Sequence, residues 1–233
     1  MLPTGREKTT RVRAMFDAIA PRYDLVNRII SLGLDRRWRQ LAVDALALPP
    51  GSLVVDVACG TGDLSRIAQA AGLRVVGIDL SWGMIAAGRA RGAQTVLQAD
   101  ATTMPFADRS VDGIVCGYAL RNLSDLDAAF AEMARVLRPG GRLALLEVGD
   151  PPPGPVRLGY HAWFHHAIPL IGALLSDKEA YRYLPRSTVY LPDPGSLRRM
   201  LMNAGFSTVG HRHLTAGLNQ LVTATRAGLP CTG

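Results

Sequence analysis

The period of apolar positions changes repeatedly along the chain and marks out its elements. Short apolar runs, Val54–Val57, Val75–Ile78, Thr95–Leu97, Ser110–Cys116 and Arg142–Val148, read as strands. The stretches between them, Leu64–Ala71, Gly83–Arg91 and Leu126–Leu137, have helical spacing, so strand and helix alternate as in a parallel α/β sheet. Arg138-Pro139-Gly140-Gly141 predicts a tight turn into the fifth strand. Three helical segments, Arg11–Ala20, Tyr23–Ser31 and Arg36–Leu46, come first, and Pro49-Pro50-Gly51 separates them from the sheet. Pro151-Pro152-Pro153-Gly154-Pro155 is a hard break. Beyond it lie an apolar stretch, Val156–Leu175, an amphipathic helix over Pro194–Ala204, and two strands, Phe206–His213 and Asn219–Thr225, suited to a closing antiparallel hairpin.

The first strand ends in Ala58-Cys59-Gly60-Thr61-Gly62-Asp63, and an acid, Asp79, closes the second. In an open α/β sheet ligands sit beyond the carboxyl ends of the strands, where Gly60 and Gly62 give the backbone clearance. Asp79 suits hydrogen bonding to ribose hydroxyls. The turn lacks the three spaced glycines of dinucleotide sites and the Lys-Ser/Thr of a phosphate loop, so a nicotinamide cofactor or ATP is disfavoured. Asp100-Ala101 follows the third strand, where an acid beside a small residue can bond an adenine amino group. The chemistry points to a nucleoside-bearing cofactor.

This order of stations resembles class I S-adenosylmethionine-dependent methyltransferases. Met15–Asn27, Ser31–Arg39, Leu120-Arg121-Asn122-Leu123, and Ala180–Leu184 with Leu214–Gly217 are more specific, and resemble the ubiquinone/menaquinone biosynthesis C-methyltransferase family over about Arg11 to Arg226. The resemblance implies a Rossmann-like α/β fold: a seven-stranded, mostly parallel sheet, helices on both faces and an N-terminal helical cap. It implies a cap over residues 1–50 and a methyltransferase domain over 51–233 that carries an inserted cap segment, 151–192. It carries Thr61, Asp79, Asp100 and Ala101 across as contacts for S-adenosyl-L-methionine, with Gly60 and Gly62 shaping the turn and Asp56 or Asp63 reaching the methionine amino group. Arg121 and Asn122 fall at the active site, with Tyr23 and Asp24 closing over it. The expected reaction is C-methylation of a reduced polyprenyl quinone, demethylmenaquinol or a ubiquinone-pathway benzoquinol. A phenolic metabolite, a phospholipid amine, or a role as a cofactor-binding accessory subunit are the alternatives.

The sequence departs from the family at Gly117-Tyr118-Ala119, where Ser-Phe-Gly is usual, so a hydroxyl contact to cofactor is lost at Gly117. It departs again at Glu147-Val148-Gly149, where Glu-Phe-Ser is usual, and at Gln220–Arg226, which lacks a histidine. These changes fall mainly on the acceptor side. Methyl transfer to carbon needs an electron-rich ring carbon held close to the methyl, so orientation and charge control matter more than a nucleophile. An arginine stays protonated, which gives Arg121 the task of stabilising developing quinolate charge and orienting water. The alternative is that it caps the fourth strand or pairs with Asp125.

Composition refines this picture. At 233 residues and 48% hydrophobic content the chain can bury a core as one domain. No apolar run reaches eighteen residues and the N-terminus lacks a signal-peptide core, so a cytoplasmic protein is expected, with contact at the inner membrane face left open. Cys59, Cys116 and Cys231 form no ligand pattern, and His161, His165 and His166 read as surface or interfacial, so no metal is expected. Residues 1–40 carry nine basic and four acidic groups and residues 151–233 eight and three, around a mildly acidic middle. Such basic flanks fit anionic phospholipid or simply a solvated surface; no RNA-binding signature favours nucleic acid. Val156–Leu175 fits a membrane surface, a greasy tunnel for the quinol tail, or core packing. A homodimer stays open.

Overall fold

The computed structural model describes residues 4–92, 95–163, 168, 170–171 and 178–228. Part of Val156–Leu175, His165, His166 and Cys231 lie outside them. Three helices come first: α1 (Gly5–Ile19), α2 (Tyr23–Ile30) and α3 (Asp35–Asp44). Then follow β1 (Leu53–Val57), α4 (Asp63–Ala70), β2 (Arg74–Asp79), α5 (Trp82–Arg89), β3 (Val96–Gln98), β4 (Val111–Gly117), α6 (Leu126–Val136) and β5 (Leu137–Val148). The chain closes with α7 (Pro155–Ala162), α8 (Lys178–Ser187), α9 (Pro194–Asn203), β6 (Phe206–Leu214) and β7 (Asn219–Arg226).

The strands form one seven-stranded sheet in the order β3-β2-β1-β4-β5-β7-β6. All neighbours are parallel except β7, which runs antiparallel to both β5 and β6. The order reverses between β1 and β4, and such a switch point opens a crevice at the carboxyl ends of the strands. Successive residues of the central strands go to opposite faces. Val55, Ile114, Leu143 and Leu145 join Phe130 and Met133 of α6 and Leu197 and Leu201 of α9. Val54, Val115, Ala144 and Leu146 join Trp38, Ala42 and Val43 of α3 and Leu64 and Ala68 of α4. A third cluster, Ile19, Ala20, Val26, Met84, Ile168 and Ala180, ties α1 and α2 to α5 and to residues beyond α7.

Two elements differ from expectation. The first helix starts at Gly5, six residues before Arg11. Its first turns are polar and show no apolar period, but Lys8 is buried and its ammonium donates to the Leu123 carbonyl at 2.6 Å, which fixes them. The fifth strand starts at Leu137, because that residue pairs with Val111 before a register shift, and Gly140 (φ +78°) carries the chain through the irregularity to Arg142.

Candidate functional site

Backbone geometry at the switch point is unusual on both sides. Ala58 (φ +54°) follows β1 and Tyr118 (φ +60°) follows β4, and both face the crevice. A positive φ at a bulky aromatic persists only where the surroundings over-determine it, and such positions concentrate at functional sites. Between them Gly60 (φ +56°) bends the loop after β1. A Cβ there would meet no atom within 4 Å, so glycine serves the backbone turn and leaves the space above it clear. The Gly60 amide donates to Asp79 Oδ2 at 2.8 Å, and the Ser81 amide donates to Oδ1 at 2.8 Å, so one carboxylate fixes the turn and the start of α5. Burial raises the Asp79 pKa, while the amides of Ser81, Gly60 and Leu80 work against it.

A slot of about 110 Å³ runs over these groups. Gly60, Asp79, Asp100, Ala101, Gly117, Asn122 and Tyr23 all line it, so seven of the residues expected at the site are brought together. The slot is narrow because α1 lies across it with Thr9, Val12, Arg13 and Phe16. Asp17 holds α1 there: its Oδ1 accepts from Ser81 Oγ at 2.6 Å and from the Gly83 amide at 2.8 Å.

Three expected cofactor residues stand elsewhere. Thr61 is buried and donates to Asp24 Oδ1 at 2.6 Å, which ties the loop to α2; Arg91 pairs with the other oxygen of Asp24. Gly62 (φ +84°) is the N-cap of α4. Asp56 is only 1% exposed, and the alternation of β1 turns it toward α4, where Ser65 Oγ donates to its Oδ2 at 2.6 Å and Oδ1 has no partner. Burial pushes its pKa up to about 7 against the Ser65 bond and the Arg39 charge. Asp63 pairs with Arg66.

A second cavity, about 410 Å³ and largely apolar, adjoins the slot. That volume lies within the range of small-molecule sites. Its walls come from Ile30, Leu34, Trp38, Tyr160, Trp163 and Ile168, and its polar groups include Arg39, Arg121 and Asn219. Phe16, Tyr23 and Tyr118 line both cavities, so the two meet across these three rings. Phe16 and Tyr23 stand edge to face at 6.0 Å.

Arg121 lines the second cavity, 5% exposed, and its guanidinium pairs with Glu147 of β5, not with Asp125. Asp125 instead caps α6, accepting from the Ala128 amide at 2.9 Å. The Arg121 Nε, Glu147 Oε2, Asn122 Oδ1 and Tyr118 hydroxyl are buried without a partner among the described residues. Buried polar groups are rarely left unpaired, and three of these belong to residues that line the two cavities, Tyr118, Asn122 and Arg121, which marks a place built for a polar ligand. Arg39, 7% exposed, is held by Asp35 at 2.7 Å and lies over the Tyr118 ring at 5.4 Å. Burial pulls its pKa down, yet Tyr118, Asp63, Tyr23 and Asp35 together hold it above its ordinary value. Arg39, Tyr118, Glu147 and Asn219 were not singled out as site residues. Arg39 sat within a recognised motif, but no local signal pointed it inward. His161 stands beside Asp150 at 3.1 Å, and no group able to hold a metal occurs among the described residues.

The chain is similar to known proteins over nearly its whole length. A chain from Renibacterium salmoninarum named demethylmenaquinone methyltransferase is 41% identical over 224 residues, covering 95% of this chain and 94% of that one. One from Syntrophotalea carbinolica named ubiquinone/menaquinone biosynthesis C-methyltransferase is 43% identical over 223 residues, covering 92% and 94%. Among solved structures, the [4+2]-cyclase SpnF superposes with a TM-score of 0.69 at 18% identity, covering 97% of this chain and 98% of that one, which speaks to fold alone. The sequence pattern of the ubiE/COQ5 methyltransferase family matches residues 4–226, and the chain belongs to that family.

Proposed function

We propose that the chain transfers a methyl group from S-adenosyl-L-methionine to a ring carbon of a reduced polyprenyl quinone, demethylmenaquinol in the first instance. The observation that carries this reading is the meeting of a slot that holds Asp79 and Asp100 with a larger, more apolar cavity across Phe16, Tyr23 and Tyr118. The donor set fits the cofactor: Asp79 and Asp100 at the ends of β2 and β3 suit ribose and adenine, and Gly60 leaves room beside them. When bound, S-adenosyl-L-methionine supplies a methyl on a sulfonium leaving group. The acceptor ring lies in the second cavity with its apolar tail toward Ile30, Trp163 and Ile168. Arg121, fixed by Glu147, and Arg39, fixed by Asp35, place two permanent cations beside it, and they favour the ionised ring hydroxyl whose electrons activate the neighbouring carbon. Bound there, the donor would give its methyl to that carbon with the sulfur as leaving group, and the ring proton would be lost to water only after the transfer. α1 and α2 act as the cap that excludes water from this step.

The test is incubation of the purified protein with S-adenosylmethionine and chemically reduced demethylmenaquinone, followed by mass spectrometry of the quinone extract. Ring-methylated product that disappears in Arg121→Ala is expected. Tight cofactor binding with no product would move the search to other phenols and amines.

The acceptor is apolar, and contact with its membrane is part of the proposal. No helix among the described residues is long and apolar enough to cross a bilayer. The contact is peripheral, made by the rim of the second cavity.

A further inference from the structure

We propose that the Tyr118 hydroxyl is an acceptor-binding group that donates a hydrogen bond to a ring oxygen of the methyl acceptor and so turns the neighbouring carbon toward the slot. The proposal rests on the quinol reading above.

Four observations converge on this residue. Tyr118 is one of three residues that line both cavities, and it directly follows β4 at the switch point. Its positive φ swings the side chain out of the strand's alternation, held by its amide donating to the Leu146 carbonyl at 2.7 Å and by Asn122 Nδ2 donating to its own carbonyl at 3.4 Å. Its hydroxyl is shut off from solvent and has no partner among the described residues. Finally, the ring is held over its face by the Arg39 guanidinium, a contact that does not involve the hydroxyl.

The charges that face Tyr118 decide which way its proton points. Arg39 and Asp35 face it from α3, Arg121 from the turn after β4 and Glu147 from β5, while Tyr23 of α2 shares the wall. Burial raises the Tyr118 pKa, Arg39 and Arg121 only partly oppose it, and Glu147 and Asp35 add to it. At neutral pH the group is therefore an O–H donor. Arginines already line the cavity as charges, but a guanidinium held in an ion pair gives less direction than the single O–H of a side chain that borders both cavities. A donor there lowers the pKa of the acceptor hydroxyl it touches and fixes the ring orientation.

Tyr118→Phe removes this one atom and keeps the ring. With reduced demethylmenaquinone and S-adenosylmethionine, the rising limb of the kcat profile for the variant should lie about one pH unit higher than for the wild type, corresponding to about a tenfold loss at neutral pH that recovers in alkali. KM for the quinol should rise, while cofactor affinity by calorimetry and the thermal midpoint stay unchanged. An unshifted limb with unchanged kcat and KM overturns the proposal. So does a pH-independent loss accompanied by weaker cofactor binding, which would indicate a packing role. A wild-type enzyme that fails to methylate the quinol at any pH overturns the quinol reading itself, a result the variant comparison cannot mimic.

Discussion

Gly149 and Gly117 have opposite physical standing. A Cβ at Gly149 would lie 2.2 Å from the Gly217 carbonyl oxygen, because the end of β5 presses on the turn before β7, and its amide donates to Leu218 at 2.9 Å. A Cβ at Gly117 would meet only Leu64 Cδ2 at 3.5 Å, an ordinary contact. Gly149→Ser should therefore lower the thermal midpoint sharply, whereas Gly117→Ser should fold like wild type and place a hydroxyl on the slot wall, with cofactor affinity by calorimetry equal or tighter. Asp56 gives a second test. Its folded pKa, about 7, stands above the usual carboxylate value, so between roughly pH 4 and 7 the native state holds a proton that the unfolded chain releases. Stability from this group is full at low pH and is lost as pH rises toward 7, on the order of 4 kcal/mol for a wholly buried group. Asp56→Asn keeps an acceptor for Ser65 and cannot ionise. Its advantage over wild type in denaturant melts should be small at pH 4 and grow to pH 8; a constant difference would contradict the assignment.

At the scale of elements, α1 decides access to the slot. Asp17 holds its C-terminal half on the start of α5 through Ser81 and Gly83, alongside the cluster of Ile19, Ala20 and Met84, and Lys8 holds its N-terminal half through Leu123. Charge-assisted hydrogen bonds contribute about 1.5–3 kcal/mol each before solvent screening. Asp17→Ala should then weaken S-adenosylmethionine binding by about tenfold and speed amide exchange in α1 while leaving β1 and β4 protected; calorimetry and hydrogen exchange check the two parts. The elements themselves were largely legible in the sequence, because β1, β2, β4 and the helices between them carry periodic apolar patterns, and Gly60 and Asp79 announce a ligand at the strand ends. What local patterns could not show were pairings made by folding. Glu147 lies 26 residues beyond Arg121, and only the β4–β5 register brings them together; Asp125, the nearer acid, is taken by a helix cap. Thr61 and Asp56 were expected as ligand contacts through the family resemblance. The alternation of β1 sends Asp56 to the α4 face, and α2 brings Asp24 to Thr61.

Across the whole molecule, exposed cations and several of the exposed apolar residues share α2, the turn after it and α7, the elements that border the second cavity. Leu25 and Ile29 stand one turn apart on the open face of α2, Leu32 follows in the next turn, and Val156 and Leu158 project from α7; Leu32 is 73% exposed and Leu158 75%. Trp163 Nε1 donates to the Ile30 carbonyl at 3.1 Å, which holds the ends of α2 and α7 side by side, and both Leu32 and Val156 line the cavity. Arg28, Arg36 and Arg37 are exposed in the same stretch. An apolar rim beside several cations matches an anionic bilayer, to which each arginine near the surface adds about 1 kcal/mol and each inserted side chain its transfer energy. In such a pose the cavity opens toward the lipid and the quinol ring reaches Arg121 while its tail remains in hydrocarbon. Binding to vesicles of phosphatidylglycerol with phosphatidylcholine should exceed binding to phosphatidylcholine alone and weaken with salt. Leu25→Ser combined with Leu158→Ser should lower vesicle binding and the turnover of long-tailed quinol in vesicles, yet leave turnover of a short-tailed, water-soluble quinol unchanged. Equal losses on both acceptors would place these leucines in the structure of the cap; no loss on either would show that the quinol enters by another route.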